Sequence, residues 1–224
     1  MYHVFLFFLL VACSQMQSAS VTKVHAKIKQ PEASKSYYDK VREKYSRYKM
    51  VELDVIRKTK IKALDKTRET ELFVFISEKG QLRLETKQEP KSLTILNAER
   101  ALVIDEPDPF FGGPVRVLIA KNPELKNSQA FLRVIFGHGD LNKFYKIKNK
   151  AKDSIQLEAV NDRLAVKEVK VTFDLSNTNI SQIDYTDVQG NEVSLVIRST
   201  QFKKQSEPKL FNFEIPKDAE ITEV

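Results

Sequence analysis

The sequence predicts a mainly β fold with an α-helical lid, and three observations support this prediction. Stretches in which apolar and polar residues alternate far outnumber stretches with helical spacing. One stretch, residues 72–76, is apolar at every position, so its strand needs cover on both faces of the sheet. A short amphipathic helix precedes the strands and can supply part of that cover. The 224-residue chain, with 42% hydrophobic and 30% charged residues, is long enough for one substantial domain.

The N-terminus predicts export. Residues 1–12 are almost wholly apolar and are followed at once by polar residues, which is typical of a signal peptide and too short for a membrane-spanning helix. The run LVAC at residues 10–13 matches a bacterial lipobox, so residues 1–13 are interpreted as a signal peptide with Cys13 as the lipidation site. Ser14 then implies sorting to the outer membrane. The alternative is an ordinary signal peptide cut near Ala19, with Cys13 lost.

Residues 14–35 predict a flexible tether, because they are polar, contain Pro31 and lack any period. The net charge of +7 is concentrated in the first third of the chain: residues 21–70 carry 15 Lys and Arg against 7 Asp and Glu. This basic stretch could face anionic lipid head groups or an acidic protein, or it could be a solvated surface. Nucleic acid is not an expected partner, since no recognition motif accompanies the charge.

The first helix is expected to begin near Ser36, because Ser36 and Asp39 have the spacing of a capping box. An apolar stripe then recurs at intervals of three and four residues, formed by Tyr38, Val41, Tyr45 and Tyr48. Either this stripe is core packing, or it belongs to a lid over a cavity.

The remaining elements follow from alternation and from turn residues. Strands are expected at residues 51–61, 69–76, 82–86, 93–105 (a hairpin), 144–148, 155–160, 166–174, 180–186, 192–199 and 210–215. A Pro- and Gly-rich loop is expected at residues 107–114, and a further helix within residues 123–136. Phe110 and Phe111 in the loop either gate an opening or anchor the loop.

Several of these segments resemble the LolA family of outer-membrane lipoprotein carriers. The resemblance rests on Val74-Phe75, LRLET at residues 82–86, Pro90, LTILNAERALVID at residues 93–105, and LFNFEIPKDAEI at residues 210–221. The chain departs from the family in having Glu78-Lys79 in place of an Arg-Pro turn and in lacking tryptophan, so the lid arginine of the family has no clear equivalent.

The resemblance implies a LolA-like domain over residues 36–224, built as an incomplete antiparallel β-barrel: a strongly curved sheet with short helices covering a hydrophobic concave face. It also implies a short helix that begins at Pro114, since PVRVLIAKN at residues 114–122 is similar to a proline-started helix of the family. It further implies a monomeric periplasmic carrier or chaperone that shields the acyl chains of lipoproteins during transport to the outer membrane. An inner-membrane release complex and an outer-membrane acceptor would then be its partners. Alternatives are a lipid-anchored acceptor resembling LolB and a non-carrier envelope scaffold. Carrier and scaffold differ in whether the concave face is hollow.

No enzyme, cofactor or metal site is expected. The three histidines are scattered, Cys13 is the only cysteine, and no nucleophile elbow or P-loop occurs. Alternation and the resemblance together predict an acyl cavity lined by strand residues, with two lid tyrosines above them. The predicted lining consists of Phe73, Phe75, Leu82, Leu84, Leu93, Ile95, Leu102 and Ile104, with Tyr45 and Tyr48 on the lid. Because residues 72–76 are all apolar, Leu72, Val74 and Ile76 are the alternative to Phe73 and Phe75.

Overall fold

The computed structural model describes residues 36–97, 100–121, 131–162 and 164–224, and in these residues it contains twelve strands, two α-helices and two short 3-10 helices. The predicted signal peptide, its Cys13 and the tether lie outside the described residues. Helix α1 spans Tyr37–Ser46, and α2 includes residues 131–135. The strands are β1 Met50–Ile61, β2 Lys66–Ser77, β3 Leu82–Thr86, β4 Ser92–Leu96, β5 Ala101–Asp105, β6 Arg116–Ala120, β7 Tyr145–Lys150, β8 Ser154–Ala159, β9 Glu168–Asp174, β10 Asn179–Thr186, β11 Glu192–Lys203 and β12 Glu220–Glu223.

All twelve strands belong to one sheet, in the order β12-β6-β5-β4-β3-β2-β1-β11-β10-β9-β8-β7. Neighbouring strands are antiparallel, except that β12 runs parallel to β6. The mainly β, antiparallel prediction is therefore confirmed. The sheet is open, with β12 and β7 at its two edges.

Helix α1 begins where its capping box predicts. The Ser36 hydroxyl accepts a hydrogen bond from the Asp39 amide (3.2 Å), and the Asp39 carboxylate accepts one from the Ser36 amide (3.1 Å). The stripe of Tyr38, Val41 and Tyr45 is buried, with each side chain at most 1% exposed. Tyr48 lies beyond the end of the helix.

The two helices cover one face of the sheet, which we call the helix face. Its residues are in register across neighbouring strands: Val51 faces Ile76, Ile76 faces Leu82, and Leu82 faces Leu96. The main hydrophobic core lies between this face and the helices. The helices approach each other closely at Gly137 (φ +87°), where a Cβ atom would lie 2.9 Å from the Arg42 carbonyl oxygen.

The C-terminal segment covers the opposite face of β4, β5 and β6, which we call the tail face. A second, smaller core forms here from Ile95, Leu102, Ile104, Val117 and Ile119, with Phe213 and Ile215 of the tail packed against it. The predicted strand at residues 210–215 is wrong. The chain forms a 3-10 helix at Pro208–Phe211 and then has no helix or strand until β12, because its backbone follows the face of the sheet rather than an edge.

A further correction concerns the short helix predicted from Pro114. This segment forms strand β6, antiparallel to β5. Val117 and Ile119 point to the tail face, while Leu118 points to the other, so the period is two rather than 3.6. The predicted helix within residues 123–136 is confirmed at residues 131–135, and its first part lies outside the described residues.

Candidate functional site

The predicted cavity wall is divided between the two faces of the sheet. Leu82 and Leu84 lie on the helix face, opposite Ile76 and Val74 of β2. The other six predicted strand residues lie on the tail face: Phe73, Phe75, Leu93, Ile95, Leu102 and Ile104. Residues two apart in one strand do share a face, as predicted. The pair from β3, however, lies on the opposite side of the sheet from the pairs of β2, β4 and β5, so the predicted residues do not line a single cavity. The reason is that register between neighbouring strands depends on the turns and the pairing, which alternation alone does not specify.

The centre of the helix face is filled by aromatic side chains. The Tyr45 ring packs against Phe136 and Phe202, with ring centroids 5.3 and 5.1 Å away, and its hydroxyl accepts a hydrogen bond from the Ile180 amide. The Tyr48 ring also packs against Phe202, in a tilted arrangement with the ring centroids 4.6 Å apart. Burial raises the pKa of Tyr45, while the hydrogen bond from Ile180 lowers it. The tyrosine stripe of α1 is therefore core packing.

Beyond this filled centre, the helix face continues as a row of half-buried residues. Leu84 of β3 faces Thr94 of β4, Thr94 faces Val103 of β5, and Val103 faces Leu118 of β6. In the described part of the chain, all four stay partly accessible to solvent, whereas the next row toward the helices is buried. The row thus offers apolar surface beside the core.

Two cavities of about 310 Å³ each lie near the far end of the helix face, and they share Arg57, Arg68 and Thr70. The first also contacts Leu84, Thr86 and Thr94, so it adjoins the half-buried row. Arg57 occupies an apolar position in the alternation of β1, two residues after Val55. Arg57 was not among the predicted site residues. The sequence signal that indicates it is this charged residue within the apolar stripe of β1.

A third cavity, of about 300 Å³, lies on the tail face beneath the C-terminal segment. Its apolar lining includes Leu93 and Ile104 from the predicted wall, with Phe213 from the tail. Polar side chains stand at its edge: Arg83 pairs with Glu85 at 2.8 Å and also donates a hydrogen bond to the Leu210 carbonyl. The tail therefore both closes the second core and borders a small apolar space.

The loop between β5 and β6 presents two phenylalanines to solvent. Phe110 and Phe111 are 90% and 91% exposed. The Asp108 carboxylate orders the loop by accepting hydrogen bonds from both phenylalanine amides, at 2.8 and 3.2 Å. With so little of either ring buried, packing against the described residues does not anchor the loop, and neither ring lines one of the cavities described above.

A larger groove, of about 430 Å³, crosses the polar side of β1, β11, β10 and β9. Lysines and carboxylates alternate along it, and Lys148 pairs with Glu168 at 2.7 Å and with Glu158 at 3.8 Å. Among the described residues, no three His, Cys, Asp or Glu side chains are arranged to hold a metal ion. No described helix has the length and apolarity needed to cross a bilayer.

No family profile matches the sequence, and no curated protein matches it either. Solved structures do match. An uncharacterized conserved protein from Thermus thermophilus aligns with 84% of this chain and 97% of its own, at 11% identity and a TM-score of 0.46. A putative outer membrane lipoprotein-sorting protein domain from Vibrio parahaemolyticus aligns with 78% of this chain and 94% of its own, at 9% identity and a TM-score of 0.42.

A LolA superfamily protein from Nitrosomonas europaea also matches, over 79% of this chain and 97% of its own, at 11% identity and a TM-score of 0.40. The chain is thus similar in fold to solved structures that include a LolA superfamily protein. Fold and cavities together define the class of this molecule: a mainly β, single-sheet protein with cavities on both faces.

Proposed function

We propose that this protein is a non-catalytic periplasmic carrier that binds the acyl chains of lipoproteins on its helix face and shields them during transport to the outer membrane. In this proposal the helix face acts as the concave face of an incomplete barrel. An inner-membrane complex supplies the lipoprotein, an outer-membrane acceptor receives it, and the carrier works as a monomer.

The observation that carries this proposal is the half-buried row formed by Leu84, Thr94, Val103 and Leu118. It extends the apolar core to a solvent-accessible part of the same face, beside a cavity of about 310 Å³. Burying each methylene of an acyl chain there would contribute about 0.8 kcal/mol. The family resemblance in the strand motifs and in the tail adds support from the sequence.

A competing proposal is a non-carrier scaffold of the same fold, which the filled centre around Tyr45 and Phe136 favours. A third is a lipid-anchored acceptor, which the lipobox ending at Cys13 favours. Replacing Cys13 with Ser and fractionating the cells separates the anchored acceptor from the soluble carrier, because only an anchored protein would leave the outer-membrane fraction.

The carrier proposal is tested by titrating the purified protein with an uncharged fluorescent long-chain alcohol. We expect saturable binding, weakened about tenfold or more by Val103→Asp, since an ionised side chain in the row must be desolvated when the alkyl chain binds. Leu93→Asp is the matched control. Leu93 is half-buried like Val103 and lies one strand away, but it points to the tail face.

Leu93→Asp should leave the affinity unchanged if both variants keep the urea midpoint of a folded protein. Loss of binding in Leu93→Asp alone would place the alkyl chain in the cavity under the tail and contradict the assigned face. Absence of saturable binding in the unmodified protein would favour the scaffold.

A further inference from the structure

Arg57 stands in an apolar part of the helix face. Strand β1 points Val51, Leu53 and Val55 to this face, and Arg57 continues the same alternation. Its direct neighbours are Thr70 on β2 and Leu195 on β11. A guanidinium is charged at every physiological pH, so placing one among apolar side chains costs free energy unless an opposite charge or a set of acceptors compensates it.

A second arginine faces the same space. Arg68 of β2 lies opposite Thr59 of β1, and Arg57 lies opposite Thr70, so the two arginines are diagonal neighbours on one face of the sheet. The Cα atoms of such neighbours are about 7–8 Å apart. Burial lowers the pKa of Arg57, the negative charge of ionised Tyr185 raises it, and the positive charge of Arg68 lowers it further. Within the described residues, no carboxylate lies within salt-bridge distance of either guanidinium. The two guanidinium groups repel each other, so binding an anion between them would lower the electrostatic free energy of both.

Neutral hydrogen-bonding groups also line the two cavities that meet at these arginines. Thr70, Thr86 and Ser92 border one, and Tyr185 and Asn191 border the other. Hydroxyls and amides donate hydrogen bonds to an oxyanion without adding negative charge that would repel it.

Two carboxylates stand at the edges of these cavities. Asp187 is already engaged: its oxygens accept hydrogen bonds from the Gln189 amide, the Asn191 amide and the Asn191 side chain, all within 3.0 Å. Asp105 is exposed at the rim of the cavity that contains Leu84. The arginines therefore face a space in which positive charge and neutral donors predominate.

We propose that Arg57 and Arg68 form an oxyanion-binding site on the helix face, which takes a phosphate or carboxylate group either free in solution or as the head of an amphiphile. Guanidinium groups match the planar or tetrahedral oxygens of such anions with paired, charge-assisted hydrogen bonds. This site goes beyond the proposed carrier function, since it rests on charged residues that an uncharged alkyl chain does not need. Leu84 lines the same cavity as Arg57, so an amphiphile bound by its head can place its chain along the half-buried row.

The test measures binding of three probes to the purified protein by calorimetry at low ionic strength: inorganic phosphate, oleate and oleyl alcohol. Arg57→Gln should weaken the binding of phosphate or oleate about tenfold or more, since it removes charge-assisted hydrogen bonds to the anion. Lys60→Gln is the control. It removes the same charge from an exposed position of the same strand, but on the opposite face.

Arg68→Gln is a second variant. Because Arg68 is exposed, this substitution should not affect folding. It should weaken the same probe by a similar factor. Dependence for phosphate alone identifies a free anion as the ligand. Dependence for oleate with none for oleyl alcohol identifies an amphiphile.

Equal affinity of the unmodified protein, Arg57→Gln and Arg68→Gln for both anions, or an equal loss in Lys60→Gln, would overturn the proposal. Oleyl alcohol reports on the carrier function separately. If it binds normally while the anions do not depend on the arginines, the oxyanion site is wrong and the acyl surface stands. If oleyl alcohol fails to bind while binding of the anions does depend on the two arginines, the carrier proposal is wrong and the oxyanion site is supported.

Discussion

Replacing Ile95 with Ala should destabilise the protein far more than replacing Leu84 with Ala, although both residues were predicted to line one cavity. Ile95 is 0% exposed and belongs to the second core, where it lies among Leu102, Ile104 and Phe213. Ile→Ala removes three carbons, worth about 0.8 kcal/mol each in transfer free energy, or roughly 2.4 kcal/mol. The cavity left behind adds to this, which gives about 3–4 kcal/mol within the usual range of about 2–5 kcal/mol.

Leu84 also loses three carbons when it is changed to Ala, but its side chain is only half-buried. We expect a loss of about 1–1.5 kcal/mol, because roughly half of the transfer free energy applies and less packing is lost. Leu84→Ala should in turn weaken the binding of an uncharged alkyl probe, whereas Ile95→Ala should not weaken it per folded molecule.

Urea unfolding followed by circular dichroism measures both free energies of unfolding, and the alkyl titration measures the affinities. The midpoint should fall much further for Ile95→Ala, with the dependence on urea concentration unchanged. A loss in Leu84→Ala as large as that in Ile95→Ala would show that the half-buried row is ordinary core. Weakened alkyl binding in folded Ile95→Ala would place the acyl site on the tail face, contrary to the assignment.

Gly137→Ala should destabilise the protein more than Gly190→Ala, which should cost about 1–2 kcal/mol for its left-handed backbone alone. Both glycines have a positive φ (+87° and +82°), but of the two only Gly137 would bring the new Cβ close to a heavy atom, the Arg42 carbonyl oxygen at 2.9 Å. Helix α1 must therefore move to accommodate Gly137→Ala. Equal losses of the free energy of unfolding in the two variants, measured with urea, would contradict this. Burial raises the pKa of Tyr185 from 10.0 to about 12, against a lowering effect of Arg57, so its contribution to stability is fully present below pH 10 and is lost as the pH rises toward 12. Tyr185→Phe should flatten the fall in the urea midpoint over that interval, and an unchanged slope would show that Tyr185 does not cause it.

Local elements of this fold are well predicted from the sequence. The start of α1 follows from Ser36 and Asp39, whose side chains and amides form the hydrogen bonds of the capping box. The hairpin of β10 and β11 follows from Gly190, which adopts the positive φ that the turn requires. Such features depend on contacts between residues close in sequence, so their patterns carry most of the information needed.

Segments whose structure depends on distant contacts are predicted less well. Residues 116–120 were assigned to a helix from Pro114, yet they form β6, because β5 and the parallel strand β12 offer hydrogen bonds on either side. Residues 210–215 alternate like a strand, yet Phe213 and Ile215 pack against the tail face while the backbone stays unpaired with the sheet. Alternation reports which side chains are buried, and it does not report which backbone neighbour is available.

The candidate site shows the same division. The period of the apolar residues and the composition are enough to predict a β-rich fold with a surplus of apolar strand residues and a helix with a tyrosine stripe. Tertiary structure alone decided that Leu84 and Ile95 point to opposite faces, that the space near Tyr45 is filled, and that Arg57 and Arg68 share a cavity. The physical reason is register: a shift of one residue in strand pairing exchanges the two faces, and that register is fixed by turns, backbone pairing and the packing of the whole sheet.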